Sequence, residues 1–335
     1  MPLVASFEDM TSHQVARETL QRMPDESLPE RERWAAQRYD IERSRHWAGP
    51  DGRRNRRYRQ LFNGLLTTLA IGIRLAPLLY RRGRQNALNL RLVEFQVPLP
   101  ELPLEFDGYR ILHVSDPHLD VLPELADASR ELLQGLEVDL LALTGDVHGH
   151  HRALLSHSAD LLARALGGVR VRGHRLAVLG NHDPIAMVAA LERIGFEVLI
   201  NSSVILERGS GRVRITGLDD VHYFYTEAAR DALNSHDGEC RIALVHSPEM
   251  ADHADEAGYA LYLCGHTHGG QICLPGGRPL VTQLTRCKHA SRGWWRQGSL
   301  KGYTSCGLGV SGPPVRFHTR GEVGLITLRR SLATE

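Results

Sequence analysis

Five times in this chain an apolar run stops abruptly at polar residues able to bind a metal, and that repeat limits what the chain can fold into. The runs are "YRILHVSD" at 109–116, "VDLLALTGD" at 138–146, "RLAVLGNHD" at 175–183, "RIALVHSP" at 241–248 and "YALYLCGHTH" at 259–268. Short, continuous Val-, Leu- and Ile-rich runs predict strands buried on both faces. "VRITGLDD" at 213–220 has the same form, while "LNLRLVEFQVPL" at 88–99 alternates as a half-buried strand does. Helical patterns follow the first two runs, from Pro123 to Leu136 and along "ALLSHSADLLARAL" at 153–166, and "GYTSCGLG" and "EVGLITLRR" are later strand candidates. Strands alternating with helices predict an α/β fold, in which ligands gather beyond the carboxyl ends of the strands.

The length of 335 residues suits one large domain with an extension, and the 42% hydrophobic content is that of an ordinary globular chain. A net charge of +1 gives no overall signal for nucleic acid, so none is expected as a partner. Arginine nevertheless crowds the early part of the chain, in "RRNRRYRQ" at 53–60 and "RRGR" at 81–84, and such runs suit phosphate or anionic lipid. Five cysteines without a CxxC pair predict free thiols in a reducing compartment. "MPLVASFEDM" has no basic stretch ahead of an apolar core, so no secretory signal is expected.

Composition divides the chain into a charged helical extension at 1–60, an apolar segment at 61–87 and the main domain at 88–335. The extension offers no evident chemistry. The stretch "LFNGLLTTLAIGIRLAPLLY" at 61–80 is about long enough to span a bilayer, but Asn63, Thr67 and Arg74 fall on one side of a helix. With arginines at both ends, a helix lying in the membrane interface is the expectation, placing the protein on the cytoplasmic face of the inner membrane. Packing as a core helix is the alternative.

Taken singly, D-x-H or H-x-H means little. Together, Asp116, His118, Asp146, Asn181, His246, His266 and His268 all fall at strand exits, in an order that brings them to one rim. On these residues the chain resembles the calcineurin-like metallophosphoesterase superfamily over about residues 110–320. The family's blocks D-x-H, G-D, G-N-H-[DE], a lone His and G-H-x-H stand here as "DPH", "GD", "GNHD", "VHS" and "GHTH". "GHTHGGQICLP" and "CGLGVSGPPVRF" resemble a branch of membrane-associated bacterial phosphoesterases, which includes pyrophosphohydrolases of the lipid A precursor UDP-2,3-diacylglucosamine.

The resemblance implies a two-sheet β-sandwich flanked by helices, and two divalent ions roughly 3.5–4 Å apart holding a hydroxide that attacks phosphorus. Asp146 matches the bridging ligand. Asp116, His118 and His268 would complete one ion, and Asn181, His246 and His266 the other. Imidazole, carboxylate and amide donors without thiolate suit Mn²⁺, Fe²⁺, Zn²⁺ or Mg²⁺, with Mn²⁺ favoured by the family. His182 matches a histidine that binds no metal and acts on the phosphoryl group or leaving oxygen. Relatives carry an aspartate three residues after the G-D aspartate to orient it. Gly149 stands there in this chain, so Asp183 is the expected substitute. His148, His150 and His151 are expected to form a solvated loop, with lining of the pocket as the alternative.

Two aromatic stretches are candidates for substrate contact. "DDVHYFY" at 219–225 carries Tyr223, and "SRGWWRQG" at 291–298 sets Trp294 and Trp295 between Arg292 and Arg296. Rings beside cations fit an acyl chain near a phosphate, or a membrane-facing rim, and ordinary packing of these loops onto the sandwich is the equal alternative. The expected substrate is a lipid-linked or membrane-proximal phosphodiester or pyrophosphate. A soluble diester or nucleotide is the alternative, and a non-catalytic metal-binding scaffold is a further one.

Overall fold

The computed structural model of the protein describes residues 28–53, 64, 68, 71–72, 75–150, 153–234 and 239–331. Half of the expected interfacial segment at 61–80, the arginine run at 54–60 and His151 lie outside these residues. Among the described residues, no helix is long and apolar enough to cross a membrane.

A small hairpin, β1 (Ala48–Gly49) with β2 (Gly52–Arg53), precedes the main fold. The first large sheet contains β3 (Arg91–Leu99), β4 (Arg110–Val114), β6 (Leu140–Thr144), β8 (Arg175–Val178), β9 (Glu197–Val198) and β16 (Glu322–Arg330). Its spatial order is β3-β16-β4-β6-β8-β9, and β4, β6, β8 and β9 run parallel. The second holds β10 (Ser202–Arg208), β11 (Gly211–Gly217), β12 (Cys240–Leu244), β13 (Leu261–Cys264), β14 (Gly293–Gln297) and β15 (Leu300–Thr304). Its order is β10-β11-β12-β13-β15-β14, with β11, β12, β13 and β15 parallel. A two-strand ladder of β5 (Glu137–Val138) and β7 (Arg170–Val171) stands apart.

The strand period of two explains the layering. Ile111, Leu140, Ala142, Leu176 and Val178 face Ile215, Ile242, Leu244, Leu261 and Leu263 between the two sheets. Their alternates Leu112, Leu141, Leu143 and Ala177 face outward into a second apolar layer. The helices Glu124–Leu132, Leu155–Leu166 and Met187–Arg193 cover that layer with Leu125, Leu162 and Leu191. On the other side Ala243, Tyr262 and Cys264 meet Leu233 and Met250. Helices therefore cover both outer faces of a two-sheet sandwich, as the family resemblance implied. The expected helix from Pro123 to Leu136 stops at Leu132, with Gly135 at φ 76° where the chain turns toward β5.

The N-terminal helix Leu28–Ser44 lies against this body, and Trp34 packs on the outer apolar layer. All five cysteines are free thiols, four of them buried. Cys264 sits on the outer face of β13, with its Sγ 3.1 Å from Thr304 Oγ1, as core and not as a ligand.

Candidate metal centre

Because β4, β6, β8, β12 and β13 leave their sheets at the same end, the polar residues that follow them meet there. Asp116, His118, Asp146 and His268 bring ligand atoms within 4.8 Å of one another, as do Asp146, His246 and His266. Asp146 belongs to both groups, and its Oδ2 lies 3.4 Å from His118 Nε2 and 3.3 Å from His246 Nε2. Asn181 Oδ1 joins the second group, 2.8 Å from His266 Nδ1 and 3.1 Å from His246 Nε2. All seven sequence-predicted ligands are thus assembled. His266 and His268, two residues apart, serve different groups.

The backbone is bent sharply to achieve this. Asp116, His118, Asp146, His266 and His268 have φ of 49°, 37°, 57°, 71° and 52°, a left-handed region that side chains with a Cβ rarely adopt. Glycine allows the turns to touch: a Cβ at Gly180 would collide with the Asp146 carboxylate, and one at Gly265 with Asp116 and Ser115. His246 Nδ1 lies 2.8 Å from Thr144 O, joining the exit of β12 to the end of β6 across the sandwich.

Asp146, His266 and His268 have the charge and protonation that suit divalent cations, whereas at His118 and His246 burial is outweighed by the Asp146 carboxylate, which raises both. Burial opposes ionisation of Asp146, but His246 and His182 more than offset it and hold its carboxyl well below the usual range. Burial, reinforced by neighbouring cationic groups, pushes His266 and His268 well down, leaving neutral imidazoles, the form that ligates metal. Among the described residues, His118 Nε2, His266 Nε2 and His268 Nδ1 are buried without a hydrogen-bond partner. Coordination would remove the cost at His118, about 1–3 kcal/mol, whereas His266 and His268 face the cluster with their other nitrogen, Nδ1 of His266 toward Asn181 and Nε2 of His268 toward Asp116. The residues fit a divalent metal, and nothing in the donor set is soft.

His182 is half-buried beside this cluster, its ring edge-on to His118 at 5.3 Å and its backbone N–H donating to Asp146 Oδ1 at 2.8 Å. The expectation that Asp183 orients the His182 ring needs correction. The buried Asp183 carboxylate accepts from the backbone N–H groups of Asp146, Gly180 and His148 at 2.8, 2.9 and 3.0 Å, so it ties the turns together. Burial and the nearby Asp146 raise it to about 6. His148, expected in solvent, is also buried, and its carbonyl oxygen lies 3.0 Å from His118 Nδ1.

Three supports went unread in the sequence. His222 is buried with its ring 4.1 Å from that of His266, and its Nδ1 is 2.7 Å from Glu249 Oε2. Arg316, fully buried, donates to the carbonyls of His268, Gly307 and Gly309 at 3.0, 3.1 and 2.7 Å. Arg38, from the extension credited with no chemistry, reaches the carbonyls of Gly180 and Asp183. Hints existed for Arg316, inside the family-like "GPPVRF", and for His222, inside "DDVHYFY" at a strand end.

The proposed substrate residues divide. Tyr223 does stand near the centre, 4.5 Å from His222 by ring centroids and stacked on Trp47 at 5.1 Å. Arg292, at the rim end of β14, donates to Gly277 O at 3.1 Å. The two tryptophans lie within β14, on opposite faces of the sheet, so they do not form a joint site. Trp294 packs edge-on against Phe95 at 5.3 Å. Trp295 is buried over Gly302 with its Nε1 donating to Thr304 Oγ1 at 2.8 Å. Arg296 is exposed one position before the hairpin end Gln297↔Leu300, away from the rim. Trp295→Ala is accordingly expected to cost stability, about 3–5 kcal/mol in a denaturation curve, with KM unchanged. A raised KM at unchanged stability would restore the substrate role.

Beside the centre lies a pocket with His266 and His268 on one wall and Ile272, Leu280, Val281 and Pro313 on others. Leu280 and the nearby Leu274 are half exposed, at 49% and 47%. The helix Pro77–Leu88 is fastened to the same region, since Gly83 lies against Val315 and Phe317 and accepts from Arg316 N at 2.9 Å. Leu75 and Leu78 at its start are 79% and 86% exposed, and Arg81 and Arg82 are exposed beside them.

Comparison with known proteins matches residues 109–270 to the sequence profile described as calcineurin-like phosphoesterase. The uncharacterized metallophosphoesterase YkuE of Bacillus subtilis is 30% identical over 286 residues, covering 81% of this chain and 97% of that protein. The phosphodiesterase YaeI of Escherichia coli is 26% identical over 66% of this chain and 82% of its own length. A transmembrane protein with a metallophosphoesterase domain from Danio rerio is 26% identical over 72% of this chain, which spans 58% of it. Among solved structures, the NAD nucleotidase of Haemophilus influenzae aligns with a TM-score of 0.39 at 16% identity, over 65% of this chain and half of the other.

Proposed function

This chain belongs to the calcineurin-like phosphoesterase family and is a metal-dependent phosphoester hydrolase, and from that premise we propose that it uses two divalent cations to cleave a phosphodiester or pyrophosphate bond in a substrate with an apolar part. The observation that carries the two-cation reading is the sharing of Asp146 between both ligand groups. Mn²⁺ is the cation we favour. Asp116, His118, Asp146 and His268 would hold one cation and Asp146, Asn181, His246 and His266 the other, and such a pair would supply a water acidified toward neutrality and positive charge for the phosphoryl oxygens.

The chain's own residues do the rest. Asp146, held ionised, keeps the two groups in register. Its Oδ1 also accepts the His182 N–H, setting that residue beside the place where phosphorus must sit. His182 then protonates the leaving oxygen as the bond from phosphorus breaks and the incoming oxygen bonds in line. Arg316 and His222 keep the rings of His268 and His266 in place through backbone and ring contacts.

The apolar walls of the pocket support a substrate carrying an acyl or similar group, presented at a membrane surface. The exposed Leu75 and Leu78 with Arg81 and Arg82 support the same reading: leucines for the bilayer interface, guanidinium groups for headgroup phosphates. The test is a substrate panel on Mn²⁺-reconstituted protein, with an acyl-bearing pyrophosphate or diester in micelles and a water-soluble aryl diester. Leu280→Asp is expected to raise KM for the acyl substrate by about 10-fold or more while sparing the soluble diester. Equal effects on both would reduce the proposal to a soluble diesterase. Metal bound tightly with no turnover of any substrate would point to a scaffold.

A further inference from the structure

We infer that Arg38 of the N-terminal helix is a positioning residue for the hydrolytic site, pinning the turn that carries Asn181 and His182 to the turn that carries His222 and Tyr223. The inference rests on the reading of Asn181 and His182 given above.

The helix Leu28–Ser44, "LPERERWAAQRYDIERS", is rich in charge and would ordinarily keep its arginines in water. Arg38 is instead 1% exposed. A guanidinium that deep loses its hydration and persists only where its donors are met. Here Nε faces Glu42 Oε1 at 3.3 Å, Nη1 donates to Asp219, and Nη2 donates to Gly180 O at 3.2 Å and Asp183 O at 2.6 Å. The Phe224 ring lies 3.6 Å below the guanidinium carbon.

These partners belong to two turns that are far apart in sequence. Gly180 and Asp183 bracket Asn181 and His182. Asp219 begins the other turn: its Oδ1 accepts from Asp220 N at 2.8 Å, and Asp220 in turn accepts from the N–H groups of His222 and Tyr223 at 3.1 and 2.8 Å. Neighbours of Arg38 reach for the same pair of turns. Trp34 Nε1 donates to Asp219 Oδ2 at 2.7 Å, and Glu42 Oε1 accepts from Ile185 N at 2.9 Å. Ala48 exchanges backbone hydrogen bonds with Tyr223 and Tyr225 at 3.0 and 3.3 Å. A helix that merely covered an apolar face would have no use for a buried planar fork with two carboxylates and two carbonyls in reach. Lysine, with a single ammonium, cannot hold both turns in that geometry.

The test uses the full chain loaded with Mn²⁺, comparing Arg38→Ala, Arg38→Lys and, as a control on the same helix, Arg31→Ala, which removes only a surface pair with Glu192. Amide hydrogen exchange is expected to quicken in 180–185 and 219–224 for both Arg38 variants while β6 and β12 stay protected. Mn²⁺ affinity is expected to fall about 10–100-fold, as when a residue behind a ligand is lost. On the soluble diester kcat should fall by about 100-fold with little change in KM. Added guanidinium should restore part of it to Arg38→Ala. Should Arg38→Ala not fold, Arg38→Lys carries the same readouts. Faster exchange confined to the helix 28–44, with wild-type Mn²⁺ affinity, would overturn the inference. If wild-type protein turned over no phosphoester, the hydrolase reading would fall, and the exchange of the two turns would still decide whether Arg38 pins them.

Discussion

Asp146→Asn is expected to lower kcat/KM by about 10³-fold or more, since cation-based stabilisation of phosphoryl transfer amounts to several kcal/mol and each 1.4 kcal/mol is tenfold. The substitution is nearly isosteric. Asparagine can still accept the His182 N–H through Oδ1, so the turn at 180–183 keeps its anchor. What is lost is the negative charge that His246 and His182 hold on this side chain, the charge both ligand groups share. Metal analysis of the variant should show loss at both positions, and a melting curve should show that the sandwich remains folded. Wild-type metal content with undiminished turnover would contradict the role.

His182→Ala should lower kcat by about 10²–10⁴-fold, the range for losing a positioned acid or base, while metal content stays near wild type. The two substitutions separate cleanly because His182 contacts Asp146 through its backbone N–H, which alanine retains. Its ring lies against His118 and belongs to neither ligand group. Loss of metal on His182→Ala would make the ring a ligand. An unchanged kcat would move the proton-transfer role to another residue, with His222 first in line by position.

The ligands could be found in the sequence because strand exits are where a parallel sheet puts its chemistry, and a buried strand that stops at Asp or His is visible as a pattern. The sandwich came with the family resemblance, since runs such as "LLALT" show burial but not which sheet they join. Arg38 was invisible for the opposite reason: one arginine among many on a charged helix carries no mark of burial, and its partners in the two turns, Gly180, Asp183 and Asp219, lie more than a hundred residues away. His222 and Glu249 are likewise joined only by the fold. For Trp294 and Trp295 the sequence leaves substrate contact and packing open, because neighbouring aromatic residues between arginines suggest a shared surface. In β14 consecutive side chains point to opposite faces, and the two-residue Gly298–Ser299 turn ahead of "LKGYT" was the available sign of a hairpin. Asp183 was assigned from what relatives place elsewhere, whereas in this chain three backbone N–H groups claim its carboxylate.

We propose that seven side chains from five strand exits cage two cations around Asp146. Crystals grown with excess Mn²⁺ and measured at the manganese absorption edge test it most directly. The account predicts two anomalous peaks flanking the Asp146 carboxylate, one within reach of Asp116, His118 and His268, the other of Asn181, His246 and His266. No peak at this rim, or one remote from Asp146, would contradict it.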